Sequence, residues 1–152
     1  MSFLKKWYDK VSRKKQFTAL YRRGEEIYGN GYVLFEMGNY EEALDKYNEA
    51  AALWGELENK LSELEDDMED DLATLRKKCQ NVLYSRCFVL YKMGKHEEAL
   101  EVIDSFLEDD PEDAGKWFGH GFVMQSIGKH QKAIESFSKC LDLDSAFSDA
   151  WY

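Results

Sequence analysis

Apolar residues recur along this chain at helical rather than strand spacing. "IYGNGYVLFEMG", "LYSRCFVLYKMG" and "WFGHGFVMQSIG" each carry large side chains at steps of three and four, which put them on one helix face. Each run ends at a glycine, Gly38, Gly94 or Gly128. Each is followed by a second amphipathic run: "NYEEALDKYNEA", "KHEEALEVIDSF" and "KHQKAIESFSKC". The pattern predicts helix, tight turn, helix, three times over. Only one proline, Pro111, interrupts the chain.

The three units are also in phase. Ala99 and Ala133 are 34 residues apart, whereas Ala43 and Ala99 are 56 apart, which is 34 plus an insertion of 22. The boundaries are therefore 24–57, 80–113 and 114–147, with 58–79 extra and 1–23 a basic N-terminal helical segment. Residues 148–152, with Trp151 spaced 34 after Trp117, read as the start of a fourth unit. Trimming from a longer array explains that end better than a terminal stub, because a cut array exposes an apolar face.

Small residues recur at Gly31, Cys87 and Gly121 and at Ala43, Ala99 and Ala133, where two helices must approach closely. Bulky ones at Ile27, Leu34 and Tyr47, at Leu83, Leu90 and Ile103, and at Trp117, Met124 and Phe137 fill the space around them. These residues resemble the tetratricopeptide repeat, whose pattern is W-x2-L-G-x2-Y…A-x3-F…P. Asn30, Arg86 and His120 depart from it at the Leu position. The resemblance implies an all-α, right-handed superhelix of antiparallel helix pairs that binds another protein and does no catalysis.

The insertion continues the apolar pattern. Trp54, Leu57, Leu61, Leu64 and Met68, then Leu72, Leu75, Cys79 and Val82, form a seam with steps of three and four, broken once between Met68 and Leu72. One straight helix would separate the first unit from the others. Two helices folded back at about Asp66–Glu69 bury the seam, and are expected as a hairpin arm projecting about 16 Å. Asp66 or Asp67 would cap the second helix, and Glu69, Asp70 and Asp71 would lie on its positive end.

In repeats of this type the first helix of each pair lines the concave side. That stripe is Tyr28, Tyr32, Phe35; Tyr84, Phe88, Tyr91; and Phe118, Phe122, Gln125. Eight of these nine are aromatic, more than a core needs, and a partner-binding groove for a peptide or amphipathic helix is expected there. The family's grip on a chaperone's C-terminal carboxylate needs Lys, Asn and Arg at positions held here by Tyr28, Tyr32, Ser85, Gly115 and Gly119. That partner is not expected.

Charge and chemistry narrow the function further. The net charge of −10 divides into +7 over residues 1–23 and −17 over the rest. So acidic a body repels nucleic acid. Cys79, Cys87 and Cys140 form no CxxC pair, and the three histidines show no ligand spacing, so neither metal nor cofactor is expected. No secretory leader or 20-residue apolar run is present, and a cytoplasmic location is expected. Phe3, Leu4, Trp7 and Val11 share one side of an N-terminal basic helix, expected to cap the first repeat, with a membrane-surface role as the weaker alternative. A regulatory domain of a larger enzyme is the remaining alternative.

Overall fold

The computed structural model describes residues 2–63 and 69–145, and among them every regular element is helical. The helices are α1 (Phe3–Glu36), α2 (Tyr40–Ser62), α3 (Glu69–Lys92), α4 (His96–Asp109), α5 (Ala114–Ser126) and α6 (His130–Leu143). The chain divides into two compact units, residues 1–82 and 83–152, with α3 contributing to each. The predicted start of a fourth unit at 148–152, and the insertion's Leu64, Asp66, Asp67 and Met68, lie outside the described residues.

The three predicted turns share one geometry. Gly38, Gly94 and Gly128 adopt φ of 80°, 76° and 80°, the left-handed region that favours glycine. In each, the glycine N–H reaches the carbonyl three residues back, and the next N–H reaches the carbonyl five back. The pairs are Gly38–Phe35 and Asn39–Leu34, Gly94–Tyr91 and Lys95–Leu90, and Gly128–Gln125 and Lys129–Met124, all at 2.8–3.0 Å. This is a Schellman closure, which satisfies the orphan carbonyls of the first helix as the chain reverses. Before α5 the stop comes from Pro111, and the restart from Asp113, whose carboxylate accepts from the N–H of Gly115 (2.8 Å) and of Lys116 (3.3 Å).

In the first unit α1 and α2 pack closely because glycine meets aromatic. Gly24 lies under the Trp54 indole, and a Cβ on Gly31 would stand 2.8 Å from Tyr47. Trp54 and Ala43 are completely buried, and Trp54 Nε1–H donates to the Tyr21 carbonyl at 3.3 Å. Of the seam residues described, Trp54, Leu57, Leu61, Leu75 and Val82 are buried, and Leu72 and Cys79 half-buried. Arg76 Nε lies 3.1 Å from Glu58 Oε1. Along one straight helix these residues would be about 27 Å apart at 1.5 Å per residue, so α2 and α3 fold back on each other.

Two expectations need correction. The N-terminal segment is no separate cap: α1 passes through the 23/24 boundary unbroken, as a 34-residue helix. Nor do α2 and α3 form a free arm. Phe17 of α1 is buried, Tyr21 packs 6.1 Å from Trp54, and Lys78 of α3 pairs with Glu25 of α1 at 3.1 Å. The physical reason is shared apolar surface: Trp54, Leu57 and Leu61 are better covered by a third helix than by water on one side.

In the second unit, Cys87, Leu90, Ala99, Ile103, Val123, Met124, Ala133 and Cys140 make the core. A Cβ on Gly121 would stand 2.6 Å from Phe137, and Gly119 lies against Tyr84. All three cysteines are unpaired, and burial pushes the Cys87 thiol up to about 12, so it serves as a small apolar residue.

Candidate functional site

The aromatic stripe splits by position. The first-place rings, Tyr28, Tyr84 and Phe118, belong largely to the packing. Tyr28 sits 5.3 Å from Tyr47 and 6.0 Å from Trp54, Tyr84 meets the edge of Phe106 at 6.3 Å, and Phe118 lies 6.0 Å from Phe137. Burial raises the Tyr84 hydroxyl well above its ordinary value, and its oxygen is buried without a protein partner. The third-place rings fold over the turns, Phe35 on Tyr40 at 5.5 Å and Tyr91 on His96 at 5.4 Å.

Two of the three middle-place rings are exposed. Tyr32, in the first unit, is 54% exposed. In the second unit Phe88 lies tilted at 5.6 Å from Phe122, which is 40% exposed. Tyr91 stands 6.2 Å beside Phe88. Lys92 Nζ lies 5.6 Å over the Phe88 ring, a cation at the edge of an apolar floor. Ring pairs of this kind contribute about 0.5–1.5 kcal/mol beyond their area, so Phe88 and Phe122 hold each other in place without being buried. The cation was not foreseen, although its spacing of four from Phe88 on one helix was readable.

A second cluster was visible only as a departure from the repeat pattern. His120, at the Leu position, has Nδ1 2.7 Å from Ser136 Oγ and Nε2 3.1 Å from Asp104 Oδ1. With the ring neutral, Nε2–H donates to Asp104. The single hydroxyl hydrogen of Ser136 is then shared between Nδ1 and the Lys132 carbonyl, 2.8 Å away. Burial lowers the His120 pKa, and the attraction of Asp104 only partly offsets it. Ser136 is buried and its hydroxyl engaged, so this set pins α4, α5 and α6 together rather than presenting a nucleophile. Among the described residues no three His, Cys, Asp or Glu side chains converge as a metal site would require, and no helix is long and apolar enough to cross a membrane.

Comparison with known proteins agrees with this architecture. Two tetratricopeptide repeat profiles match, one at residues 25–53 and one at 117–147. No curated protein sequence matches. Among solved structures, the Sgt2 TPR domain from Aspergillus fumigatus is similar at TM-score 0.55 and 16% identity, over 81% of this chain and 67% of that one. The second TPR of Spaghetti (RPAP3), bound to the HSP90 peptide SRMEEVD, matches at 0.53 and 19%, over 88% and 98%. The C-terminal TPR-containing domain of an FK506-binding protein from Plasmodium falciparum matches at 0.53 and 19%, over 85% and 82%. At such identities these likenesses speak to the fold. With the first and third helix pairs matching the same repeat, and their turns closing alike, these two stretches of the chain are tetratricopeptide repeats.

Proposed function

We propose that this protein is a non-catalytic interaction scaffold, and that it docks a peptide or amphipathic helix of another protein on the aromatic floor. In the second unit that floor is Phe88 and Phe122, edged by Tyr84, Tyr91 and Phe118. In the first unit Tyr32 is the exposed ring, between Tyr28 and Phe35. One observation carries the reading: Phe88 and Phe122 pair at 5.6 Å with Phe122 40% exposed, while Leu90, Val123 and Met124 of the same helices are the residues that are buried. An apolar ring pair left partly in water gains stability when a partner covers it.

The ligand is apolar or aromatic in character. One of the solved neighbours holds an HSP90 peptide, SRMEEVD. In this chain Tyr28, Tyr32, Ser85, Gly115 and Gly119 stand where the family's carboxylate grip would need Lys, Asn and Arg. A chaperone tail is thus disfavoured, while Lys92 suits a carboxylate beside an apolar anchor.

The test is selection of displayed peptides on the wild-type chain, followed by titration of the best sequences against Tyr32→Ser/Phe88→Ser/Phe122→Ser. Circular dichroism verifies the fold. Enriched sequences should carry aromatic or large aliphatic anchors and lose at least about tenfold in affinity on the variant. Affinities unchanged by all three substitutions would place binding elsewhere.

A further inference from the structure

A separate apolar surface lies at the other end of α1. Phe3, Leu4, Trp7 and Tyr8 are 81%, 74%, 56% and 67% exposed, although they sit in regular helix capped by Ser2. At 100° per residue, these four and Val11 fill an arc of roughly 140°. That arc is centred roughly 150° away from the Phe17–Gly24–Ile27–Gly31 face that packs inward. It therefore points away from the repeat and cannot be an unfinished part of its core.

The register shows how far it extends. Gly24 faces Trp54 and Gly31 faces Tyr47, so facing residue numbers in α1 and α2 total 78. Ser62, the last residue of α2, thus faces Gln16, and Phe17 is the first buried residue of α1. At 1.5 Å per residue, Phe3–Lys15 reach about 20 Å past the described end of α2.

We infer that this projecting helix is a docking strip for an anionic lipid surface, entering the headgroup–acyl boundary with its Phe, Leu, Trp and Tyr side chains. Charge selects the occupant. Residues 1–23 carry eight Lys or Arg and one Asp, a net +7 on a chain whose total is −10. Lys14, Lys15 and Arg22 continue along the same direction beyond Val11, beside a shallow cleft. An apolar wedge followed by cations matches the layering of acyl chains beneath anionic headgroups, and Trp and Tyr suit that boundary. The acidic body does not cancel the attraction. Its field falls off over about 8 Å at physiological salt, and Tyr8 lies about 12 Å along α1 from the level of the described end of α2. A second copy of the chain is the competing occupant, because its −17 body attracts the same cations, and the oligomer outcome of the test separates the two.

The test is co-sedimentation of the full chain with vesicles of phosphatidylcholine, or of phosphatidylcholine with phosphatidylserine. Only the phosphatidylserine vesicles should carry the protein down, less so as salt rises. Phe3→Ser/Leu4→Ser/Trp7→Ser should lose about tenfold or more in partitioning with its helicity intact. Lys5→Gln/Lys6→Gln should lose about fivefold per cation. Phe88→Ser/Phe122→Ser should bind vesicles like the wild type, which separates this surface from the peptide floor. Absence of sedimentation, equal uptake by both lipids, or full binding by the triple-serine variant would overturn the inference. So would salt-sensitive oligomers, without vesicle binding, that the same serines dissolve. That result would make the strip a protein contact.

Discussion

The pairs α1–α2 and α5–α6 share their turn and their point of closest approach, yet use them differently. Gly31 receives Tyr47 in one, and Gly121 receives Phe137 in the other. Beyond that crossing the second pair stops, with helices of 13 and 14 residues, while the first continues to 34 and 23. Its added turns are held by Trp54, Leu57, Leu61 and Phe17 together with Leu75 of α3. The second unit instead binds its helices through His120, with Asp104 and Ser136. The lesson is that a repeat motif specifies where two helices cross. Past the crossing, α2 and the part of α1 from Phe17 onward are lengthened by residues that cover one another, whereas Phe3–Lys15 is helical with its apolar side exposed.

The largest effect should come from Trp54→Ala, which removes the centre of the extended pair. We expect a loss of about 3–5 kcal/mol, read by urea denaturation. Amide exchange should accelerate first in α1 and α2, because the indole packs on Gly24, Tyr21 and Tyr28 of the first unit. Equal acceleration in α6 would erase the distinction between the units.

Gly31→Val and Gly121→Val test the shared crossing directly. Each forces a branched side chain into a ring already in contact, and each should cost about 1–3 kcal/mol in thermal or urea unfolding. A large difference between the two would mean the crossings are not equivalent.

His120→Leu probes the polar pin. The folded pKa of His120 lies below its ordinary 6.5, so the fold favours the neutral ring. Its contribution is complete above that ordinary value and is lost as the pH falls through the lowered one. Leu should flatten this acid dependence and stabilise the second unit by about 1 kcal/mol under mildly acidic conditions, since Asp104 is exposed and can return to water. A variant that unfolds with the wild-type pH profile would remove His120 as the cause.

The smallest effect belongs to Arg76→Ala. Its pair with Glu58 reports the fold-back of α2 and α3 but is largely solvated, and its loss should cost under about 1 kcal/mol in the same denaturation assay. A greater loss would show that the ion pair, rather than the Leu61–Leu75 seam, holds the first unit's hairpin.

Much of this was legible in the residues themselves. The glycine turns, the small residues at Ala43, Ala99 and Ala133, and the buried seam all follow from local spacing, because backbone conformation and helix face are set within a few residues. The aromatic stripe was legible as a stripe, but not which of its rings stay exposed. That depends on neighbours distant in sequence: Tyr47 and Trp54 occupy Tyr28, Gly119 admits Tyr84, and Phe137 occupies Phe118. The same holds for α1. Its basic amphipathic start was plain from the order of residues. That it runs unbroken into the first repeat, and turns its apolar side away from the core, was decided by the register against Trp54 and by helical phase. Periodicity names the face of a helix, but only packing determines which faces meet and which are left to water.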